Sequence, residues 1–289
     1  MKDLDLNIFP SVSKENWRLL AEKQLKGANP DKELQWINEA GLTVEGYYDS
    51  SDLNNLSYLK DYFTSIPSHR WKLYERIEVS NEKEANSQAL KALMGGCDGI
   101  IFNVQKSIDE NILLREINSE ICDISFMGSI SISQSKIAMT SQNCAEESEV
   151  NHSPINQIAE LIEKAKDRKF VFRSAFSDFF LEIATVRALK YLLDLNRLSS
   201  IHIHTEVPIH KSKEHHWFLN TTAGLASILG GSHSINLQTA IGDSRISRNT
   251  GNLIREESGL DMYEDQCGGS YYVEVLTDKI IKEVNERLK

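Results

Sequence analysis

Residues 199–238 read SSIHIHTEVPIHKSKEHHWFLNTTAGLASILGGSHSINLQ, and they hold the pattern on which the fold turns. SSIHIHT alternates apolar and polar side chains as a strand does, HWFLNTTAGLASILGG has helical spacing and a glycine stop, and SHSINLQ alternates again. Strand, helix and strand in series make a unit whose two strands run parallel.

The same rhythm extends back to residue 70. WKLYERIEV is strand-like, NEKEANSQALKALMGG is a helix with its glycine stop, and CDGIIFNV is a second strand. IDENILLREI is helical, CDISFMGSISIS a strand, SPINQIAELIEKAKD a helix, KFVFRSAF a strand and DFFLEIATVRALKYLLDLN a long helix. This alternation predicts an α/β fold with a parallel sheet, and a (β/α)8 TIM-type barrel accommodates it without edge strands. Compression of the interval 97–170 puts one or two strands at risk, so a shortened or distorted barrel is the alternative. The polar stretch at about residues 140–153 reads as a loop.

Ahead of the rhythm, SKENWRLLAEKQLK predicts an amphipathic helix capped by Ser13 and stopped at Gly27, with Trp17, Leu20, Ala21 and Leu25 near one face. In LQWINEAGLTVEGYYDSSDL aromatics mix with turn residues, and SSD before LNNLSYLKDYF reads as a cap and a further helix. The expected organisation is an N-terminal extension over 1–69 and a barrel domain over 70–289.

Composition bounds the function. With 289 residues and 40% hydrophobic content the chain can bury a sizeable core. A net charge of −10 without a basic block argues against nucleic acid. Four cysteines, Cys97, Cys122, Cys144 and Cys267, form no CxxC pair, which suits reduced thiols in a cytoplasm. No apolar run approaches the roughly 20 residues of a membrane span.

The strands carry an anomaly for a barrel, whose interior is usually filled by Val, Ile and Leu. Ser129, Ser131 and Ser133 share one face of their strand, and His202 and His204 share one face of theirs. Either these strands line a polar interior, or the serines belong to an edge or a loop. A histidine pair at this spacing also suits a divalent metal, with His210, His215 and His216 nearby, so a metal-dependent hydrolase using His202 and His204 is a competing reading. The bland reading has both imidazoles hydrogen-bonded inside the barrel. Arg248 fits an ion pair with Glu256 or Glu257, and Cys267 fits an inert thiol. In DQCGGSYYVEVLTD, Gly268 and Gly269 permit a close backbone approach; Tyr271 to Val275 read as extended, and Thr277 as the cap of a helix opening at Asp278.

Four blocks in order, FFLEIATVRALKYL, LASILGGSHS, SRISRNTGNLIREESGL and DQCGGSYYVEVLTD, resemble the methylmalonyl-CoA mutase family, most strongly over residues 172–280. NWRLLAEKQLKG, LQWINEAGLTVEGYYDSSDL and WKLYERI resemble its opening segment more loosely. The resemblance implies a barrel threaded along its axis by the CoA chain, and adenosylcobalamin delivered by a separate C-terminal domain. On it, Ser129, Ser131, Ser133, Arg173, His202, His204, Asn236 and Gln238 become the candidates for a substrate or CoA channel. The sequence departs from the family in several places. It has no Asp-x-His-x-x-Gly cobalamin signature, no Gln-Asn-Asp stretch and no Tyr-His pair in the middle strands. Ser200 stands where an arginine precedes the histidine, and Asn236, Leu237 and Gln238 replace a His-Thr-Asn run. These losses resemble the small, non-catalytic subunit of a heterodimeric mutase, with no catalytic residue of its own and no cofactor bound by this chain alone. A large catalytic subunit carrying the adenosylcobalamin is then the expected partner, and acyl-CoA a further one. An orphan acyl-CoA-binding or scaffold protein is the remaining alternative.

Overall fold

The computed structural model describes residues 12–62, 70–128, 153–165, 170–175, 178–209, 215–239, 244–260, 262 and 264–289. The chain opens with α1 (Lys14–Gln24), the single turn α2 (Pro30–Glu33), the short strands β1 (Trp36–Ile37) and β2 (Thr43–Val44), a 3-10 helix (Ser50–Asn55) and the turn α3 (Leu59–Tyr62). There follow β3 (Lys72–Glu78), α4 (Glu82–Met94), β4 (Gly99–Val104), α5 (Glu110–Leu113) and β5 (Asp123–Gly128). The second half comprises α6 (Pro154–Ala165), β6 (Phe170–Ser174), α7 (Phe179–Leu195), β7 (His202–Val207), α8 (His216–Gly230), β8 (Ser234–Leu237), α9 (Arg245–Ser258) and α10 (Tyr271–Arg287).

Six of the strands form one curled parallel sheet in the order β5-β4-β3-β8-β7-β6. The first and last strands of the series, β3 and β8, lie side by side, with Lys72 opposite Ser234 and Leu73 opposite Ile235. That pairing is the seam by which a (β/α)8 barrel closes on itself. The fold is α/β, a partial TIM-like barrel. Eight strands are not found among the described residues: the sheet ends at β5 on one side and β6 on the other, and between them only α6 is described. Between those two strands, within the compressed interval, residues 129–152 and 166–169 lie outside the described residues. Ser129, Ser131 and Ser133 fall outside the described residues.

Alternation assigns the two faces of the sheet. Leu73 and Glu75 face α9, where Gly251 leaves room for Leu73 and Arg248 meets Glu75; Ile235 and Leu237 face Gly224 of α8. Leu73, Ile100, Phe102, Phe126, Ile235 and Leu237 thus build the core between sheet and helices. Tyr74, Asp123, His202, His204, Ser234 and Asn236 belong to the opposite, inner face. Gly99 is required there, because a Cβ would stand 2.8 Å from the Tyr74 ring.

A second core joins α6, α7 and α10, and Ala40, Leu42, Leu56 and Tyr58 of the N-terminal segment pack into it. α1 is capped by the Ser13 hydroxyl as expected, but Ala21 is its one buried residue and Leu20 is exposed.

Two buried ion pairs anchor α7, whose central residues are otherwise apolar. Glu182 receives the fork of Arg173, and Arg187 donates to both oxygens of Glu274, at 2.9 and 3.1 Å, and to Asp265 at 2.6 Å. Glu274 also accepts from the Tyr58 hydroxyl and from the Gly269 N–H at 2.9 Å. This network corrects the reading of DQCGGSYYVEVLTD: α10 begins at Tyr271 rather than at Asp278. Glu274 turns inward to meet Arg187, which needs helical rather than extended geometry, and Gly269 at φ +82° brings the chain in to that carboxylate.

Glu274→Ala would take from the buried Arg187 cation its two-pronged carboxylate contact, and we expect a loss of about 3–5 kcal/mol in urea unfolding. The double substitution Arg187→Met with Glu274→Leu should recover only the part due to the uncompensated cation, because the Tyr58 hydroxyl and the Gly269 N–H still lose their acceptor and Asp265 its partner. A cost below about 1 kcal/mol for Glu274→Ala, the scale of a surface pair, would mean that solvent reaches the network.

Candidate functional site

The inner face of β7 and β8 carries a continuous hydrogen-bonded chain. Ser234 Oγ stands 2.7 Å from His202 Nε2 and 2.8 Å from His204 Nδ1. His204 Nε2 lies 3.4 Å from Glu206 Oε1, and the other Glu206 oxygen accepts from the amides of Asn236 at 2.7 Å and Gln238 at 3.1 Å. The register makes this possible, since His204 pairs with Ser234 and Glu206 with Asn236 across the two strands.

Electrostatics follow from burial and these contacts. Burial alone would raise the Glu206 carboxyl, but the His204 hydrogen bond and charge, Arg76 and the Gln238 amide hold it below its ordinary value. Burial, then the neighbouring His233, His204 and Lys72, push His202 down to about 2. Glu206 is therefore a carboxylate and can only accept. The Ser234 hydroxyl, set between the two imidazoles, can donate to one ring nitrogen and accept from the other.

Tyr74 of β3 lies across this network. Its ring stacks on His202 and His204 with centroids 6.2 and 5.5 Å apart, and its hydroxyl donates to Asp123 at 2.5 Å. The Tyr74 hydroxyl is raised by burial and then by the Asp123 hydrogen bond and charge, so it stays protonated as a donor. Lys72 pairs with the same carboxylate. Tyr74 is 2% exposed, and His204 and Ser234 are fully buried.

Of the sequence-derived candidates, the structure thus brings His202, His204, Asn236 and Gln238 together. Arg173 is not with them. It lies on the helix-facing side of β6, its guanidinium held by Glu182 and, at 3.2 Å, by Thr205 Oγ1. Arg248 pairs with Glu75 of β3 instead of Glu256 or Glu257, because it faces the sheet while those two carboxylates sit exposed at the end of α9. Cys267 is half-buried and its thiol is raised by burial, which leaves it unactivated. Among the described residues no group of three or more His, Cys, Asp or Glu is arranged to hold a metal ion. Sequence reading missed Tyr74, Ser234 and Glu182. The first two share strand faces with polar residues, and Glu182 is a lone acid in an apolar helix; each of these signals was present.

Around β3, β8 and α9 lies a cavity of about 510 Å3, with Glu75, Leu237 and Arg248 from the helix-facing side in its wall. Tyr74, Arg76, Glu78, Asn236, Gln238 and Ser244 are among its lining residues.

A parallel sheet with a β3–β8 seam, outer helices and a polar inner face defines a barrel-type α/β protein with its candidate site inside the sheet. Residues 160–289 match the family model described as methylmalonyl-CoA mutase. A "Methylmalonyl-CoA mutase small subunit" of Porphyromonas gingivalis is 24% identical over 386 residues, covering 95% of this chain and 62% of the relative. A "Methylmalonyl-CoA mutase" of Escherichia coli is 42% identical over 71 residues, covering 22% of this chain and 10% of that protein. A "Probable methylmalonyl-CoA mutase, mitochondrial" of Caenorhabditis elegans is 40% identical over 81 residues, covering 23% and 11%. The chain therefore spans 62% of the small-subunit relative and about a tenth of the other two. The alignment to the small subunit is longer than this chain, so that relative carries stretches with no counterpart here. At low identity, then, the chain is similar over most of its length to a protein named a small subunit. Among the described residues no helix is long and apolar enough to cross a membrane.

The inner network makes the fold acid-sensitive. An unfolded histidine titrates near 6.5 while His202 in the fold is at about 2, so the unfolded chain binds one more proton between those values. Stability from this group is complete above about pH 6.5 and falls as pH drops, by up to about 1.4 kcal/mol per unit. Depression of Glu206 adds a loss in the same direction below its own unfolded value of 4.5. His202→Gln should flatten the stability profile between about pH 7 and about pH 5, read by denaturant unfolding. Identical slopes for both proteins would mean that His202 takes up a proton while folded.

Proposed function

We propose that this chain is the small, non-catalytic partner in an adenosylcobalamin-dependent mutase that interconverts methylmalonyl-CoA and succinyl-CoA. A larger chain holds the cobalamin and carries out the reaction. The observation that carries this reading is the filled inner face. A radical rearrangement needs a water-excluded space that also has room for the acyl ester and donors aimed at it. Here the polar groups of β7 and β8 bond one another, and Tyr74 lies stacked over both histidines. In this reading His202, His204, Asn236 and Gln238 hold the interior together, and Arg173 clamps β6 to α7.

The remaining features fit the same assignment. Residues 1–69 form an extension and residues 70–289 the barrel domain. The free thiols Cys97, Cys122 and Cys267 suit a reducing cytoplasm. One observation favours a second reading, retained acyl-CoA binding: the cavity of about 510 Å3 has lining amides, from Asn236 and Gln238, that can both donate and accept.

The test is co-purification with the large mutase chain of the same genome, followed by a mutase assay of each chain alone and of the two together with adenosylcobalamin. The expected result is association, no turnover by this chain alone, and turnover only when the large chain is present. Turnover by this chain alone would overturn the non-catalytic assignment. Calorimetric titration with CoA decides the second reading.

A further inference from the structure

Residues from both ends of the chain build an aromatic pocket of about 410 Å3 whose walls are Trp36, Tyr47, Tyr48, Tyr271 and Tyr272. Its walls are fixed by the chain itself. Tyr48 stacks on Tyr272 at 5.6 Å, Tyr47 stacks on Trp17 at 5.4 Å, and Phe180 stands edge-on to Tyr272 at 5.4 Å. Fixed rings lose little further freedom when a partner binds.

The pocket opens through side chains the fold leaves in water. Trp36 is 51% exposed, Tyr271 40% and Ile37 72%, and β1 buries neither of its two residues. Exposed aromatic and aliphatic groups around a preformed pocket mark a protein contact, and Trp and Tyr dominate the binding energy of such contacts.

The comparisons bear on what covers it. The family model match begins at residue 160, so the wall from Trp36 to Tyr48 lies outside the matched part. The match to the protein named a small subunit covers 95% of this chain, and the uncovered twentieth is too short to reach Trp36 or Tyr271 from either end. The pocket's residues thus lie within the span of the chain that matches a protein named a small subunit.

We infer that this pocket is the anchor point for the larger mutase chain, which inserts a large apolar side chain between Trp36 and Tyr271. The inference rests on the two-subunit reading above and adds to it the surface used.

Affinity is to be measured by isothermal titration calorimetry between the full chain and the large mutase chain of the same genome. Trp36→Ala and Tyr271→Ala are each expected to weaken the complex at least about tenfold, while Phe218→Ala, an exposed aromatic on α8, leaves it unchanged. Hydrogen exchange on the unaltered proteins provides a readout independent of any variant's folding: amides of residues 34–48 and 270–273 should gain protection in the complex. A tight complex indifferent to both substitutions, with no protection there, would place the contact elsewhere and leave the two-subunit reading standing. Absence of any complex would remove both. Self-association of this chain that Trp36→Ala abolishes would make a second copy the occupant and overturn the inference.

Discussion

A single buried cation ties the two ends of this chain to its middle. Arg187, in the centre of α7, is 1% exposed and shares its guanidinium between Glu274 of α10 and Asp265. Glu274 in turn takes the Tyr58 hydroxyl and the Gly269 N–H. Burying such charges costs desolvation energy that their attraction only partly offsets, so the pair is a weak source of net stability. Its consequence is geometric. An apolar contact between α7 and α10 would tolerate sliding and rotation, whereas a two-pronged guanidinium–carboxylate contact is satisfied in one arrangement. Arg173 and Glu182 impose the same condition one and a half turns earlier, between α7 and β6. With α7 fixed to the sheet at one point and to α10 at the other, the helix layer has a defined register.

The alternation of strands and helices was legible because it depends on local spacing. The helix from Glu82 to Met94, capped by Asn81, and the strand from Gly99 to Val104 fall where periodicity puts them. Polarity of the inner face could also be read, since His202 and His204 sit two apart. Less visible were contacts between residues far apart in sequence. Nothing in GGSYYVEV announces that Glu274 will meet Arg187, 87 positions away, and without that partner the segment reads as alternating and extended. Arg248 illustrates the same limit: its near neighbours Glu256 and Glu257 were the obvious partners, but Glu75 lies 173 positions away, across the β3–α9 packing. Strand number was left open, between a full and a shortened barrel, for a different reason. Six strands obey the pattern, and the interval after Gly128 offered too few residues to decide how many more there were.

Ser234 is the small residue on which the inner face turns. A hydroxyl is the one short side chain that can accept from one imidazole and donate to the next, and it sits opposite His204 in register. A carboxylate at that position would accept from both rings and leave two like-oriented imidazoles; an alanine would orphan two buried nitrogens, each at the cost of a lost hydrogen bond. The sheet also leaves Tyr74 no alternative place. Gly99 on the adjacent strand clears the space for its ring, and Asp123 two strands over accepts its proton. Three strands therefore contribute to closing one side of the barrel axis.

A face closed by internal hydrogen bonds is costly to reopen. Admitting a ligand between Tyr74 and the histidines would break the Tyr74–Asp123 bond and separate two stacked contacts, and the ligand would have to replace both. Polar groups already paired have little to offer a newcomer, since exchanging one hydrogen bond for another gains almost nothing. Exposed apolar area lies elsewhere, where Trp36, Ile37 and Tyr271 remain in water beside rings already held in place. Burial of apolar area there gains about 25 cal/mol per Å2 without breaking any internal bond. The energetics thus separate the two regions: the inner face contributes by holding shape, and the aromatic surface retains the free energy that an assembly can use.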